Sequence, residues 1–295
     1  MTNGTLAPRA PLSQTRADEH IVDVLIEERC AQLRASPAWP LLRAALYPIL
    51  KKKQAERMAD AIAPLPGRDA FDYMSALLSL DVVASGLEHV PQTGRVIIAS
   101  THPTGIADGI AMYDALKAMR PDLVFFANRD AIRVAPRFSE MLIPVEWVEA
   151  KRTRARSRET LAGTVKAFTH DRCVVLFPSG RLARRNDDGS LSEQPWQTSV
   201  ALFARKYDCP IVPVHMTARN SWLYYWFWKI NTELRDITLF HELLNKRGKR
   251  YALRFGAPIA PGDLPDDARL ATEALRLHAS HGVPANEAFS ALNDR

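Results

Sequence analysis

VIIASTHPTGIADGIAMYDAL, residues 96–116, is the stretch whose reading decides the fold. It opens on a short apolar run of the kind a buried strand shows. It breaks at Thr101–Gly105, then resumes with helical character from Ile106. In open α/β sheets, ligands lie beyond the carboxyl ends of the strands. The loop THPTG therefore puts His102 at a cleft rather than in the core. Asp108 falls in the first helical turn, where the positive end of the helix dipole favours its ionised form. A carboxylate there can accept the Nδ1 proton of His102, leaving Nε2 to take a proton from a substrate hydroxyl. Gly105 permits the turn that folds the loop back.

Further along the chain the same alternation recurs. DLVFFA (122–127), CVVLF (173–177) and IVPV (211–214) read as buried strands, and RVIIAS (95–100) contains the first of the series. Between them lie amphipathic segments near 106–119, 155–169 and 196–207. KRYALRFGAPI (249–259) reads as a late, more exposed strand and 266–280 as a final helix. Strands alternating with helices predict an α/β fold, a central sheet flanked by helices on both faces.

Upstream, the pattern from Asp18 to about Ser85 is helical, with Pro37, Pro40, Pro48, Pro64 and Pro66 dividing it into short helices. The predicted organisation is a flexible tail over 1–17, a helical region over 18–80, and an α/β domain over 81–295.

An apolar fraction of 47% excludes wholesale disorder. Lys and Arg outnumber Asp and Glu by 39 to 33, which suits an anionic partner: nucleic acid, anionic lipid or a phosphorylated substrate. Cys30, Cys173 and Cys209 form no CxxC pair, so neither a disulfide framework nor a zinc site is implied and a reducing cytosol is expected. The first residues lack the apolar stretch of a secretory signal. No run of about 20 apolar residues predicts a membrane span.

Three further motifs follow the His102 loop in order. Phe126 and Arg129 lie in FFANR, Phe177-Pro178-Ser179-Gly180-Arg181 directly follows a strand, and Ile211-Val212-Pro213-Val214 closes the series. This ordered set resembles the glycerophosphate and lysophospholipid acyltransferase superfamily over roughly residues 81–260. In that family a His and an Asp separated by four residues act as base and orienting acid. An Arg after an aromatic binds substrate, Phe-Pro-Glu-Gly helps bind the acceptor's phosphate, and an apolar strand ends in Val-Pro.

Here five residues separate His102 from Asp108, Ser179 replaces the Glu and is followed by Arg181, and Leu123 stands in for the leading Gly of the second motif. HPTGIADG, the PW at 195–196 and PIVPVHMTARNSWLYYW resemble the hemolysin-like or ornithine-lipid branch. The resemblance implies a mostly parallel sheet and direct acyl transfer from acyl-CoA or acyl-carrier protein to a lipid hydroxyl or amine, with no metal or other cofactor. It makes His102 and Asp108 catalytic. Arg129, Ser179, Gly180 and Arg181 become substrate-binding, with Arg129 and Arg181 opening onto one cleft. The acceptor stays open among a lysophospholipid such as lysophosphatidate, glycerol-3-phosphate and an ornithine-type lipid.

AWPLLRAALYPILKKK (38–53) joins apolar residues to three lysines, a pattern of helices that lie in a membrane interface or pack on a domain. WLYYWFWK (222–229) is aromatic enough for headgroup depth, an acyl tunnel or a core. KRTRARSR (151–158) suits a solvated helix start or phosphate contacts. No nucleic-acid fold pattern accompanies it, and no nucleic-acid partner is expected. His215 follows the VPV strand and reads as structural. The resulting expectation is a lipid-synthesising acyltransferase, cytoplasmic and peripheral on the inner membrane face. The competing class is a non-catalytic basic membrane- or nucleic-acid-binding module.

Overall fold

The computed structural model describes residues 19–146, 151–283 and 289; the tail expected over 1–17 lies outside them. Short helices come first: α1 (Ile21–Glu28), α2 (Ala31–Ala35), α3 (Trp39–Ile49), α4 (Lys52–Ile62) and α5 (Gly67–Leu78). Strands and helices then alternate through β1 (Asp81–Ser85), β2 (Val96–Ser100), α6 (Ile106–Leu116), β3 (Leu123–Asn128), α7 (Asp130–Val134) and β4 (Leu142–Val145). Next come α8 (Arg154–Thr169), β5 (Cys173–Leu176), a small hairpin of β6 (Arg184–Arg185) and β7 (Leu191–Ser192), and α9 (Ser199–Lys206). The chain closes with β8 (Ile211–Thr217), α10 (Trp222–Ile230), α11 (Thr232–Asp236), α12 (Leu239–Leu244), β9 (Arg250–Phe255) and α13 (Ala268–Ser280).

Seven strands form the main sheet in the order β1-β9-β8-β2-β5-β3-β4. From β8 to β4 all neighbours are parallel, while β9 pairs antiparallel to β8 and parallel to β1. The sheet is thus mostly parallel with a reversed edge pair. Every residue of β2 is buried, as a central strand covered on both faces requires. Its side chains alternate between two cores. Val96 and Ile98 pack towards α1, α4, α5 and α6, whereas Ile97 and Ala99 face α9 and α13. Cutting Ile98 to Ala would cost about 2–5 kcal/mol by the usual penalty for an unfilled core.

Two elements differ from the sequence expectation. The helical pattern read up to Ser85 ends at Leu78, because Ser79 turns left-handed at φ +41° and the following Asp81–Ser85 pairs with β9 as β1. The late strand β9 lies inside the sheet between β1 and β8, with alternate residues buried.

Topology fixes where a cleft opens. The connection after β2 passes over β5 to reach β3, and that after β5 returns past β2 to reach β8. Their helices, α6 and α9, pack in different cores on opposite faces of the sheet. Divergent connections at neighbouring strand ends leave a crevice, the switch point of open α/β sheets. Here it lies between the carboxyl ends of β2 and β5, the strands that carry His102 and Phe177.

Candidate active site

His102 leaves β2 and its imidazole stacks on the Phe177 ring, which leaves β5, with centroids 4.4 Å apart and planes at 28°. Nδ1 of His102 lies 2.8 Å from Oδ2 of Asp108. Asp108 is fully buried at the start of α6. Burying a carboxylate demands partners, and the loop supplies them. The same Oδ2 accepts the N–H groups of Thr104 at 2.9 Å and Gly105 at 3.0 Å, while Oδ1 accepts the Thr104 hydroxyl. Gly105 has φ +112°, a conformation side chains resist, so this grip on the carboxylate needs glycine there. With Nδ1–H committed to Asp108, the lone pair of His102 sits on Nε2.

An outer shell steadies the pair. Tyr251, buried on β9, places its hydroxyl 2.8 Å from Thr104 Oγ1. The main-chain N–H of His102 donates to Glu193 Oε2 at 3.0 Å, and its carbonyl accepts from Ala183 N at 2.9 Å. Burial pushes the Glu193 carboxyl up, against the opposing bonds from the His102 N–H and Trp196 Nε1–H. Below the sheet end, Glu242 and Lys246 form a buried pair at 2.8 Å, and Glu242 also accepts Ser221 N, the cap of α10, at 2.8 Å. Burial would raise the Glu242 carboxyl, but Lys246 and Ser221 hold it down.

His102 and Phe177 line a cavity of about 1120 Å³, just above the range of about 300–1,000 Å³ for small-molecule sites. Its walls are mainly apolar and come from both faces of the sheet. Leu25, Met58, Phe71 and Met74 of the N-terminal helices lie on one side, and Leu202 and Phe203 of α9 on the other. Tyr224 and Trp228 of α10 complete it. Such a space has room for a long apolar chain, with His102 in its wall.

The sequence-predicted residues divide. His102, Gly180 and Arg181 line the cavity, and Asp108 bonds to His102 from beneath it. Ser179 is buried behind the lining, its hydroxyl donating to Arg181 O at 2.8 Å. Arg129 is not among the lining residues, although its neighbours Asn128 and Asp130 are. Its Nη1 pairs with Glu159 Oε2 of α8 at 2.7 Å, while Nε and Nη2 are buried without a hydrogen-bond partner. His215 bonds to Ala279 O at 2.8 Å, a structural contact between β8 and α13. Glu193 and Tyr251 were missed. Glu193 sits in a loop between Ser192 and Gln194 with no periodicity to mark it, although the adjacent Pro195-Trp196 was a signal.

A crevice at the switch point thus holds an oriented imidazole beside an apolar chamber. Residues 81–217 match the Acyltransferase family model, and with the relatives that follow this makes the protein an acyltransferase, similar to the glycerophosphate and lysophospholipid acyltransferase superfamily. Among relatives, the lyso-glycine lipid O-acyltransferase of Phocaeicola vulgatus is 25% identical over 199 residues, 65% of this chain and 69% of its own. The lyso-glycine lipid O-acyltransferase of Bacteroides thetaiotaomicron is 23% identical over 199 residues, 65% of this chain and 71% of its own. Among solved structures, the chain is similar to the 1-acyl-sn-glycerophosphate acyltransferase PlsC from Thermotoga maritima, with a TM-score of 0.46 and 14% identity over 89% of this chain and 95% of that one.

Proposed function

We propose that the protein transfers a fatty acyl group from a thioester donor, acyl-CoA or acyl-carrier protein, to the hydroxyl of a single-chain lipid. The observation that carries this reading is the His102–Asp108 pair at the wall of the apolar cavity. Nε2 of His102 takes the acceptor hydroxyl proton as its oxygen attacks the thioester carbonyl. Asp108 faces the imidazolium that results. Collapse of the tetrahedral intermediate breaks the carbon–sulfur bond, and the imidazolium returns its proton to the departing thiolate. Atoms balance: ester and free thiol leave, and His102 is neutral again.

Arg181, exposed at the rim, is the group for an anionic head on acceptor or donor. The names of the two relatives favour an acceptor whose head is an amino acid rather than a phosphate, with the acyl group going to oxygen.

Substrates of this kind lie in membranes, and the surface suits one. Only Trp39 is buried among the residues of α3, and Leu41 is 79% exposed, with Leu42 and Ile49 also exposed. On α10, Trp222 and Trp226 stack outside at 5.5 Å, one helical turn apart, while Tyr224 and Trp228 of the same helix line the cavity. Aromatic rings prefer the membrane–water boundary, so a bilayer touching Trp222 would meet the helix that walls the chamber. No helix among the described residues is long and apolar enough to cross a membrane.

The test is acyl transfer from labelled palmitoyl-CoA and palmitoyl-carrier protein into a panel of hydroxylated lyso-amino-acid lipids, lysophosphatidate and glycerol-3-phosphate, with wild type beside His102→Ala. Product with the first class that vanishes in the variant is the expected result. Transfer that survives in the variant would remove His102 from the mechanism, and preference for a phosphate acceptor would overturn the head-group assignment.

A further inference from the structure

We propose that Glu193 is a positioning residue of this site, holding the main chain of His102 in register with the Phe177–Ala183 loop. The inference rests on the assignment of His102 as the base. Glu193 is 9% exposed and lies between the hairpin and α9, in a segment without regular structure. A carboxylate removed from water in a loop is costly unless its oxygens are used, and both are. Oε2 accepts the His102 N–H at 3.0 Å and Oε1 accepts Trp196 Nε1 at 3.0 Å. The Ser179 hydroxyl lies against the same group. One side chain therefore ties the His102 loop, the Ser179 loop and the approach to α9.

Other contacts complete the clamp. Ala183 N donates to the His102 carbonyl at 2.9 Å, and Gln197 N donates to the Pro178 carbonyl at 2.9 Å. Both peptide groups of His102 are thus held, its N–H by Glu193 and its C=O by Ala183. Asp108 fixes how the ring turns, but it cannot fix where the ring's Cα stands. Glu193 does that.

The arrangement also answers a departure in the sequence. The third motif of the resembling family carries a glutamate where this chain has Ser179. This loop instead meets a carboxylate from residue 193. Serine at 179 leaves room beside a second-loop carboxylate, so the two features belong together.

Geometry and charge separate in two variants of the full-length protein. Glu193→Gln keeps the reach and an acceptor oxygen for the His102 N–H, giving up the Trp196 bond, where its amide nitrogen would meet another donor; Glu193→Asp keeps the charge but withdraws it by one methylene. Imidazole ¹H–¹⁵N resonances of His102, assigned by their loss in His102→Ala, report its position without any turnover. We expect the Gln variant to keep the wild-type pattern and the Asp variant to shift and broaden it. In acyl transfer, Asp should lose about 10²-fold in kcat, the usual cost of misplacing a reacting group by about 1 Å, with KM within about threefold. Gln should recover at least about tenfold of that loss. Asp equal to or better than Gln, or His102 resonances unmoved in Asp, overturns the proposal. A wild-type enzyme that acylates no acceptor would sink the functional reading alone, since the resonance comparison still decides the role of Glu193.

Discussion

Replacing Asp108 by asparagine separates the charge of the orienting carboxylate from its hydrogen bonds. Oδ2 holds three N–H groups, those of His102, Thr104 and Gly105, between 2.8 and 3.0 Å. An amide oxygen can hold the same three. The amide nitrogen then faces Thr104 Oγ1, whose hydroxyl can turn to donate to Tyr251, 2.8 Å away. The loop should keep its shape and the melting temperature should stay near wild type. What is lost is the negative charge opposite the imidazolium formed when His102 takes the substrate proton. Two unit charges about 4 Å apart interact by about 4 kcal/mol at an effective dielectric of about 20, which is roughly three decades in rate. We expect kcat to fall about 10³-fold with KM within about threefold. Thiol release from palmitoyl-CoA under saturating lyso-lipid, read with a chromogenic disulfide, measures the first. Thermal melting guards the second. A loss below about tenfold in a protein that melts normally would refute the electrostatic role. Asp108→Ala is the contrast: it takes the acceptor from three N–H donors and a hydroxyl, at about 1–3 kcal/mol for each one left buried and unpaired, so rate and stability should fall together.

Tyr251→Phe removes only the outer bond to Thr104; it should cost about 1 kcal/mol of stability, read by urea melts, and leave the His102–Asp108 bond in place. Lys246→Met leaves the Glu242 carboxylate buried without its cation, so a loss of about 3–5 kcal/mol is expected, and a change under about 1 kcal/mol would show the pair to be idle. At Glu28, burial would raise the carboxyl, but Arg133 and Lys151 hold it near 2, below its usual 4.5. That contribution is complete above pH 4.5 and disappears as pH falls towards 2. Discounted for solvent screening it is worth about 1 kcal/mol, so Glu28→Gln should lower the melting temperature by about 2–4 °C at pH 7 and by visibly less at pH 3; an equal gap at both values contradicts the linkage. Trp222→Ser with Trp226→Ser should release the protein from lipid vesicles while a short-chain, water-soluble acceptor is still acylated; unchanged vesicle binding would move the membrane contact away from α10.

The strands that build the cleft were legible because parallel strands buried on both faces carry continuous apolar runs, and β2, β3, β5 and β8 do over 96–99, 123–127, 173–176 and 211–214. Those missed obey a different rule. In β1, Asp81, Val83 and Ser85 are exposed and the rest half-buried, so its five residues show neither a continuous run nor a strong alternation. In β4, Leu142–Val145 is too short to carry a period. Both are edge strands, where one neighbour suffices and sequence constraint is weakest.

At the site, what could be read was what lies close in the chain. His102, Thr104, Gly105 and Asp108 share one loop and one helical turn, so backbone geometry converts their spacing directly into contact. Arg129 shows where this logic stops. Its place at the end of β3 was correctly read, since Arg129 N bonds to Val145 O at 3.1 Å. The direction of a long side chain, however, depends on what packs beside it, and Glu159 on α8 captures it. Nothing within a few residues of Arg129 encodes that choice. Glu193 is the converse case: an unremarkable loop residue that the crossover from β5 to β8 returns to the backbone of His102, 91 positions earlier. Local spacing in this fold therefore specifies the His102–Asp108 contact, while the direction of the arginine side chains and the support of the His102 backbone are set by tertiary contacts between crossovers. Substitutions in the first group should act alike in any background. Those in the second should depend on their partners, so Glu159→Gln, which frees Arg129, should alter substrate affinity only while Arg129 is present, and a double-mutant cycle between the two will show whether that arginine ever reaches the cleft.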